Sequence, residues 1–89
     1  MHRFVLECSD VPAAEGEEAA SDIEREFREQ RPHHRNVRCS FEDGKLVLQA
    51  ENDWDVDGLA LMDEFSDCIS AYIATPFDGD LRLVSSTAI

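Results

Sequence analysis

Asp43-Gly44 sits between two runs in which apolar and polar side chains alternate. Val37, Cys39 and Phe41 alternate with Arg38, Ser40 and Glu42 before it. Leu46, Leu48 and Ala50 alternate with Val47, Gln49 and Glu51 after it. A period of two is the mark of a half-buried strand. Asp-Gly supplies the two positive-φ positions that a tight hairpin turn demands. Residues 37–51 therefore read as a β-hairpin, and any fold for this chain must contain it.

The flanking segments follow different periods. Phe4, Leu6 and Cys8 alternate with Arg3, Val5 and Glu7, giving a strand over residues 2–8. Asp10 and Pro12 suit a helix entry, and residues 13–31 carry a narrow stripe of Ala19, Ala20, Ile23 and Phe27. Acids lead this segment and arginines end it, which complements the helix dipole. Ser21-Asp22-Ile23-Glu24 offers a later capping-box start, and Pro32 ends the helix.

A second helix is expected to open at Asn52–Asp55. Asp55 would be its N-cap, and Trp54 would pack on Leu59 as a hydrophobic staple. Leu61, Met62, Phe65, Cys68, Ile69, Tyr72 and Ile73 recur at three and four, a broad apolar face. Burying it would contribute on the order of 10–20 kcal/mol before entropy is subtracted. Pro76 stops the helix. Leu81 and Leu83 alternate with Arg82 and Val84 in a last strand of about residues 80–87.

The order is strand–helix–strand–strand–helix–strand in 89 residues, one domain. Two βαβ-like halves predict an α+β, ferredoxin-like sandwich: a four-stranded antiparallel sheet with both helices on one face. The other face would carry Arg3, Val5, Arg38, Ser40, Val47, Gln49, Arg82 and Val84. Of these, Arg3, Arg38, Val47, Arg82 and Val84 form a candidate second interaction face, suited to a homodimer.

Charge narrows the partners. Twenty acids against eight bases give a net charge of −12. Such a chain repels nucleic-acid phosphates and favours a protein partner with a basic surface. No run of about 18 apolar residues marks a membrane span, and no signal-like stretch opens the chain. A cytoplasmic location is the expectation. Cys8, Cys39 and Cys68 lie too far apart for a CxxC motif and read as buried free thiols. No nucleophile–base pattern or glycine-rich phosphate loop occurs, so no enzymatic activity and no cofactor are expected.

The sharpest pattern is Asp53-x-Asp55-x-Asp57-Gly58-x5-Glu64, which matches an EF-hand calcium loop in its fixed positions. That resemblance implies Asp53, Asp55, Asp57 and Glu64 as side-chain ligands and the Leu59 carbonyl as another. Its context differs, because a strand rather than a helix precedes it and no second loop follows. The same acids serve a helix start: Asp55 as cap and Asp57 near the positive end.

Glu51, Asp53, Asp55, Asp57, Asp63, Glu64 and Asp67 also form an acidic band, with Trp54 as a candidate anchor, and the first helix adds a second acidic band. Small inhibitor and immunity proteins share this size and charge. The expected function is therefore a small acidic protein-binding domain of that kind, or a regulator, occluding a partner's basic surface. The alternatives are a calcium-binding regulatory module and a self-associating structural domain. Residues 25–38, with Arg25, Arg28, Arg31, His33, His34, Arg35 and Arg38, form an opposite, basic pole. It would bind an anion or pair with the acidic bands. Adjacent histidines alone make a poor metal site without a further ligand.

Overall fold

The computed structural model describes residues 1–89. Its elements are β1 (His2–Cys8), α1 (Ala13–Gln30), β2 (Arg35–Glu42), β3 (Lys45–Asn52), α2 (Leu59–Tyr72) and β4 (Leu81–Ala88). One antiparallel sheet runs in the order β2-β3-β1-β4. With two helices, this is the ferredoxin-like α+β arrangement that the alternation predicts.

The hairpin turn has the geometry its residues require. Asp43 and Gly44 both lie at positive φ, 52° and 77°, and Glu42 pairs with Lys45 across the turn. From there the register runs regularly to Arg38↔Gln49. It then shifts, so that Arg35 faces Glu51. Two residues, Asn36 and Val37, oppose Ala50 alone, which is a bulge. Asn36 accommodates it in a left-handed conformation, φ 51°, which asparagine tolerates better than most residues. A second irregularity lies in β4, where the pairing with β1 shifts at Val84.

Sixteen buried apolar residues form one core. Phe4, Leu6, Cys8, Leu46, Leu48 and Ala50 come from the sheet; Ala19, Ala20, Ile23 and Phe27 come from α1. Leu61, Phe65, Cys68, Ile69 and Ile73 come from α2 and its exit. These are the residues that the two periods single out. Leu81 and Leu83 are only half-buried, because the helical layer thins out over β4. The three thiols are free; Cys8 and Cys68 are buried and Cys39 is half-buried.

The helix entries depart from expectation. The residue before α1 is Pro12, and no side chain caps the helix. Asp10 sits in a left-handed turn instead, φ 55°, and helix 1 runs from Ala13 without the later start at Ser21. Helix 2 begins at Leu59, four residues after Asp55. Gly58 precedes it in a left-handed conformation, where a Cβ would stand 3.1 Å from the Phe4 ring. The expected staple does not form: Trp54 is 47% exposed and Leu59 58%.

Gly16 lies under the Phe41 ring, where an added Cβ would clash with the ring carbons. In a solvent-facing helix, replacing glycine gains helix propensity. Here Gly16→Val is expected to lose about 1–3 kcal/mol by overpacking, read as a lower urea midpoint at unchanged m-value.

Candidate functional site

The end of β3 and the start of β2 lie side by side, so the loops that continue from them meet. This places residues 31–34 against residues 52–58 and the first turns of α2. Asn52, the last residue of β3, is 1% exposed. Its Oδ1 accepts the backbone N–H groups of Trp54 (3.3 Å) and Asp55 (2.9 Å). Asp55 is also buried; its two oxygens accept from Gly58 N (3.2 Å) and Leu61 N (3.0 Å). Asp57 Oδ1 accepts from Leu59 N (3.1 Å). Three polar side chains thus hold the loop 53–58 through its own amides. Asp55 does serve the orphan amides at the start of α2, but from outside the helix rather than as its N-cap.

Asn52 also fixes a histidine. With Oδ1 committed to two amides, its Nδ2 faces His34 Nδ1 at 3.2 Å. Nδ1 must therefore accept, and the ring proton sits on Nε2. Nε2 donates to Glu64 Oε2 at 2.6 Å. The His34 side chain is fully buried. Its ring packs 5.6 Å from Phe27 and 5.7 Å from Trp54. His33 lies over the same site, 4.4 Å from His34 and 5.6 Å from Trp54, with Nε2 at 3.1 Å from Glu64 Oε1.

Glu64 collects these groups. Besides the histidines, it accepts from Arg31 Nη1 at 2.9 Å. Burial alone would raise its pKa, but the hydrogen bonds from His34 and Arg31 hold it below the usual carboxylate value. Arg31 bridges onward to Glu26 (3.3 Å), with its guanidinium over the Phe27 ring at 5.6 Å. Glu26 accepts in turn from the Cys68 thiol (2.9 Å) and the Tyr72 hydroxyl (2.8 Å). Those two bonds, more than Arg31, hold Glu26 low against the opposing effect of burial. Burial and the Glu26 carboxylate push the Cys68 thiol up to about 12, so it stays protonated and is no nucleophile.

His33, His34 and Glu64 are the one set of three potential ligand groups whose donor atoms lie within 4.8 Å of one another. Glu64 is the further ligand that the histidine pair lacks in the sequence. The chemistry still disfavours a metal there. Asn52 keeps a proton on His34 Nε2, which removes the lone pair a metal needs, and Arg31 sets a cation against the same carboxylate. The four side chains of the calcium pattern do not converge either. Asp55 is spent on backbone amides and Glu64 on Arg31 and the histidines.

The sequence-derived acidic band divides in two. Glu51 and Asp55 are buried and Glu64 is half-buried, all three held by partners within the chain. Asp53, Asp57, Asp63 and Asp67 are exposed and make no ion pair, with Trp54 and the 79% exposed Val56 among them. The basic pole is partly paired within the chain: Arg25 pairs with Asp22 and Arg28 with Glu24 on the exposed surface of α1, Arg31 pairs with Glu26 and Glu64, and Arg35 and Arg38 are exposed without an ion pair. The second face is less basic than its arginines suggest. Arg3 pairs with Glu51 at 3.0 Å and Arg82 with Glu7 at 3.1 Å, both acids lying on that same face. Val47 there is half-buried, while Arg38 and Val84 are exposed. The largest hollow, about 530 Å³, is a polar notch between α1 and β2, lined by Glu24, Arg28, Asn36 and Arg38 among others.

Comparison with protein-family models, with curated proteins and with solved structures yields no match. No helix is long and apolar enough to cross a membrane.

Two outcomes follow from the buried network. Glu26 and Glu64 have folded pKa values below the ordinary 4.5. The stability they contribute is complete above that value and is lost as pH falls through their folded values. Unfolding free energy is therefore expected to hold steady near neutrality and decline in acid. Glu64→Gln should cost on the order of 1–3 kcal/mol at neutral pH, by leaving Arg31 with Glu26 as its only carboxylate, and much less in acid. Denaturant titrations across pH read both. Asp55→Ala should cost about 1–2 kcal/mol and speed hydrogen exchange at the Gly58 and Leu61 amides.

Proposed function

We propose that this chain is a small protein-binding domain that occludes a basic surface of a partner protein, as an inhibitor, immunity protein or regulator does. The recognition surface is the loop 53–58 with the exposed edge of α2. Trp54 and Val56 are its apolar anchors, and Asp53, Asp57, Asp63 and Asp67 form its charged rim.

The observation that carries this reading is an exposed tryptophan on a loop that the protein has already made rigid. Trp54 rests against His33 and His34 with 47% of its surface open to solvent. Buried Asn52 and Asp55 hold the backbone on either side of it. Ordering a loop on binding costs conformational entropy, and a loop already fixed avoids that cost. Aromatic anchors ringed by polar residues dominate interface energetics. Asp53, Asp57, Asp63 and Asp67 make no ion pair, so no fixed cation offsets their attraction for a basic partner. The open mixed-charge notch between α1 and β2 lacks the enclosed apolar character of a substrate pocket.

The test uses immobilised protein as bait for a lysate of the source organism, followed by kinetics with the captured partner. A basic protein is expected to bind with an association rate that falls steeply as salt rises. Trp54→Ala should weaken binding at least tenfold through dissociation, and Asp53→Asn with Asp57→Asn should slow association. A salt-insensitive association rate, or equal binding by all variants, would reject the proposal.

A further inference from the structure

The sheet has two edges, and the chain treats them differently. Helix α1 packs along β2, and Glu24 accepts the outward-facing Cys39 N–H at 2.9 Å. Arg35, Arg38 and Glu42 add charge to that edge. These are ordinary devices for keeping a strand edge from pairing with another chain. The β4 edge carries one charge, Arg82, paired with Glu7, and the bulge at Val84; beyond the bulge, over residues 85–89, it has none of these devices. β4 is bonded to β1 on one side only, and no side chain caps its backbone. Residues 84–89 are exposed throughout. Ile89 N donates to the Met1 carbonyl, so by antiparallel alternation Ser86 and Ala88 direct their amides and carbonyls away from the sheet.

Two further features mark this edge. Exposed apolar side chains gather around it: Val84 and Ile89 lie on it, Met1 is bonded to it, and Leu59 follows Gly58, which sits against Leu83. In addition, β4 is the one helix or strand without an acidic residue; each of the other five contains at least one. A basic partner would find nothing to attract it here. A second molecule carrying the same −12 charge would meet its least repulsive surface.

We propose that β4 is a self-association edge, pairing antiparallel with β4 of a second copy of this chain about a two-fold axis. The two four-stranded sheets would join as one of eight, satisfying both exposed backbone edges. Leu59, Val84 and Ile89 would lie along the seam. The acidic loop of each copy would stay free, so this reading stands independently of the partner surface above.

Sedimentation equilibrium on the full chain tests it, over micromolar to millimolar concentrations and at low and high salt. The expected species is a dimer of twice the 10.0 kDa chain mass. Its dissociation constant should fall as salt rises, because screening relieves repulsion between like-charged copies. That is the opposite salt response to the one expected for a basic partner. Ser86→Pro removes an outward amide without touching the β1 ladder, and Ser86→Lys places a charge on the edge while leaving the backbone intact. Each should weaken dimerisation at least tenfold, while Trp54→Ala leaves it unchanged. If Ser86→Pro fails to fold, judged by amide dispersion in NMR, Ser86→Lys decides. A chain that stays monomeric at millimolar concentration and high salt would overturn the proposal. A dimer that Ser86→Lys does not weaken would overturn it equally.

Discussion

Glu64 is the point on which the upper end of the molecule depends. It projects from the second turn of α2 and receives Arg31 from beyond the end of α1, together with His33 and His34 from the loop into β2. A carboxylate at such a place is tolerable only if its charge and lone pairs are met. Here one cation and at least one charge-free N–H donor meet them. Through Arg31 the same network reaches Glu26, Cys68 and Tyr72, fastening the two helices along their length. Through His34 it reaches Asn52, and through Asn52 the loop that presents Trp54. One orphan remains: Arg31 Nε is buried without a partner. Its position over Phe27 gives the guanidinium a cation–π contact in partial compensation.

This network shows how a thin core can still fix an exposed loop. A domain of this size has few apolar residues to spare, and all sixteen of its buried ones lie between the helices and the sheet. None is left to pack the 53–58 loop from outside. The chain uses short-range hydrogen bonds from buried side chains instead. These bonds are directional, so they specify the loop's shape as well as stabilising it. Trp54 is thereby released from packing duty and can stand exposed on a fixed base.

The elements were legible because each rests on a local signal. Alternation marks all four strands, the three-four spacing marks both helices, and Asp43-Gly44 fixes the hairpin. The hairpin also holds more information than its own extent. Counting outward from Glu42↔Lys45, and allowing one bulged residue, brings the His33-His34 step beside Asn52-Asp53, next to Trp54. The bulge itself was not legible, since it depends on Asn36 reaching Glu51 at 2.8 Å across the open face. Glu64 is legible in the sequence only as the end of the calcium-like pattern or as a member of the acidic band, because nothing in its own helix reveals Arg31 thirty-three residues earlier.

The start of α2 was misplaced for a physical reason that bears on function. Asp53-Trp54-Asp55-Val56-Asp57-Gly58 contains three residues able to cap a helix and one glycine able to end a turn. A staple between Trp54 and Leu59 would have buried two large side chains and begun the helix at once. The structure instead lets Asn52 and Asp55 bind backbone amides, and Gly58 takes the left-handed geometry that delays the helix to Leu59. Forgoing the staple leaves apolar surface in water, which by itself is unfavourable. Gly58 gains close packing on Phe4 and Leu83, and His34 gains a lid in Trp54, but the exposed faces of Trp54, Val56 and Leu59 receive no such return within the chain. That open surface, on a loop held by its own buried side chains, is the surface that the proposed partner would cover.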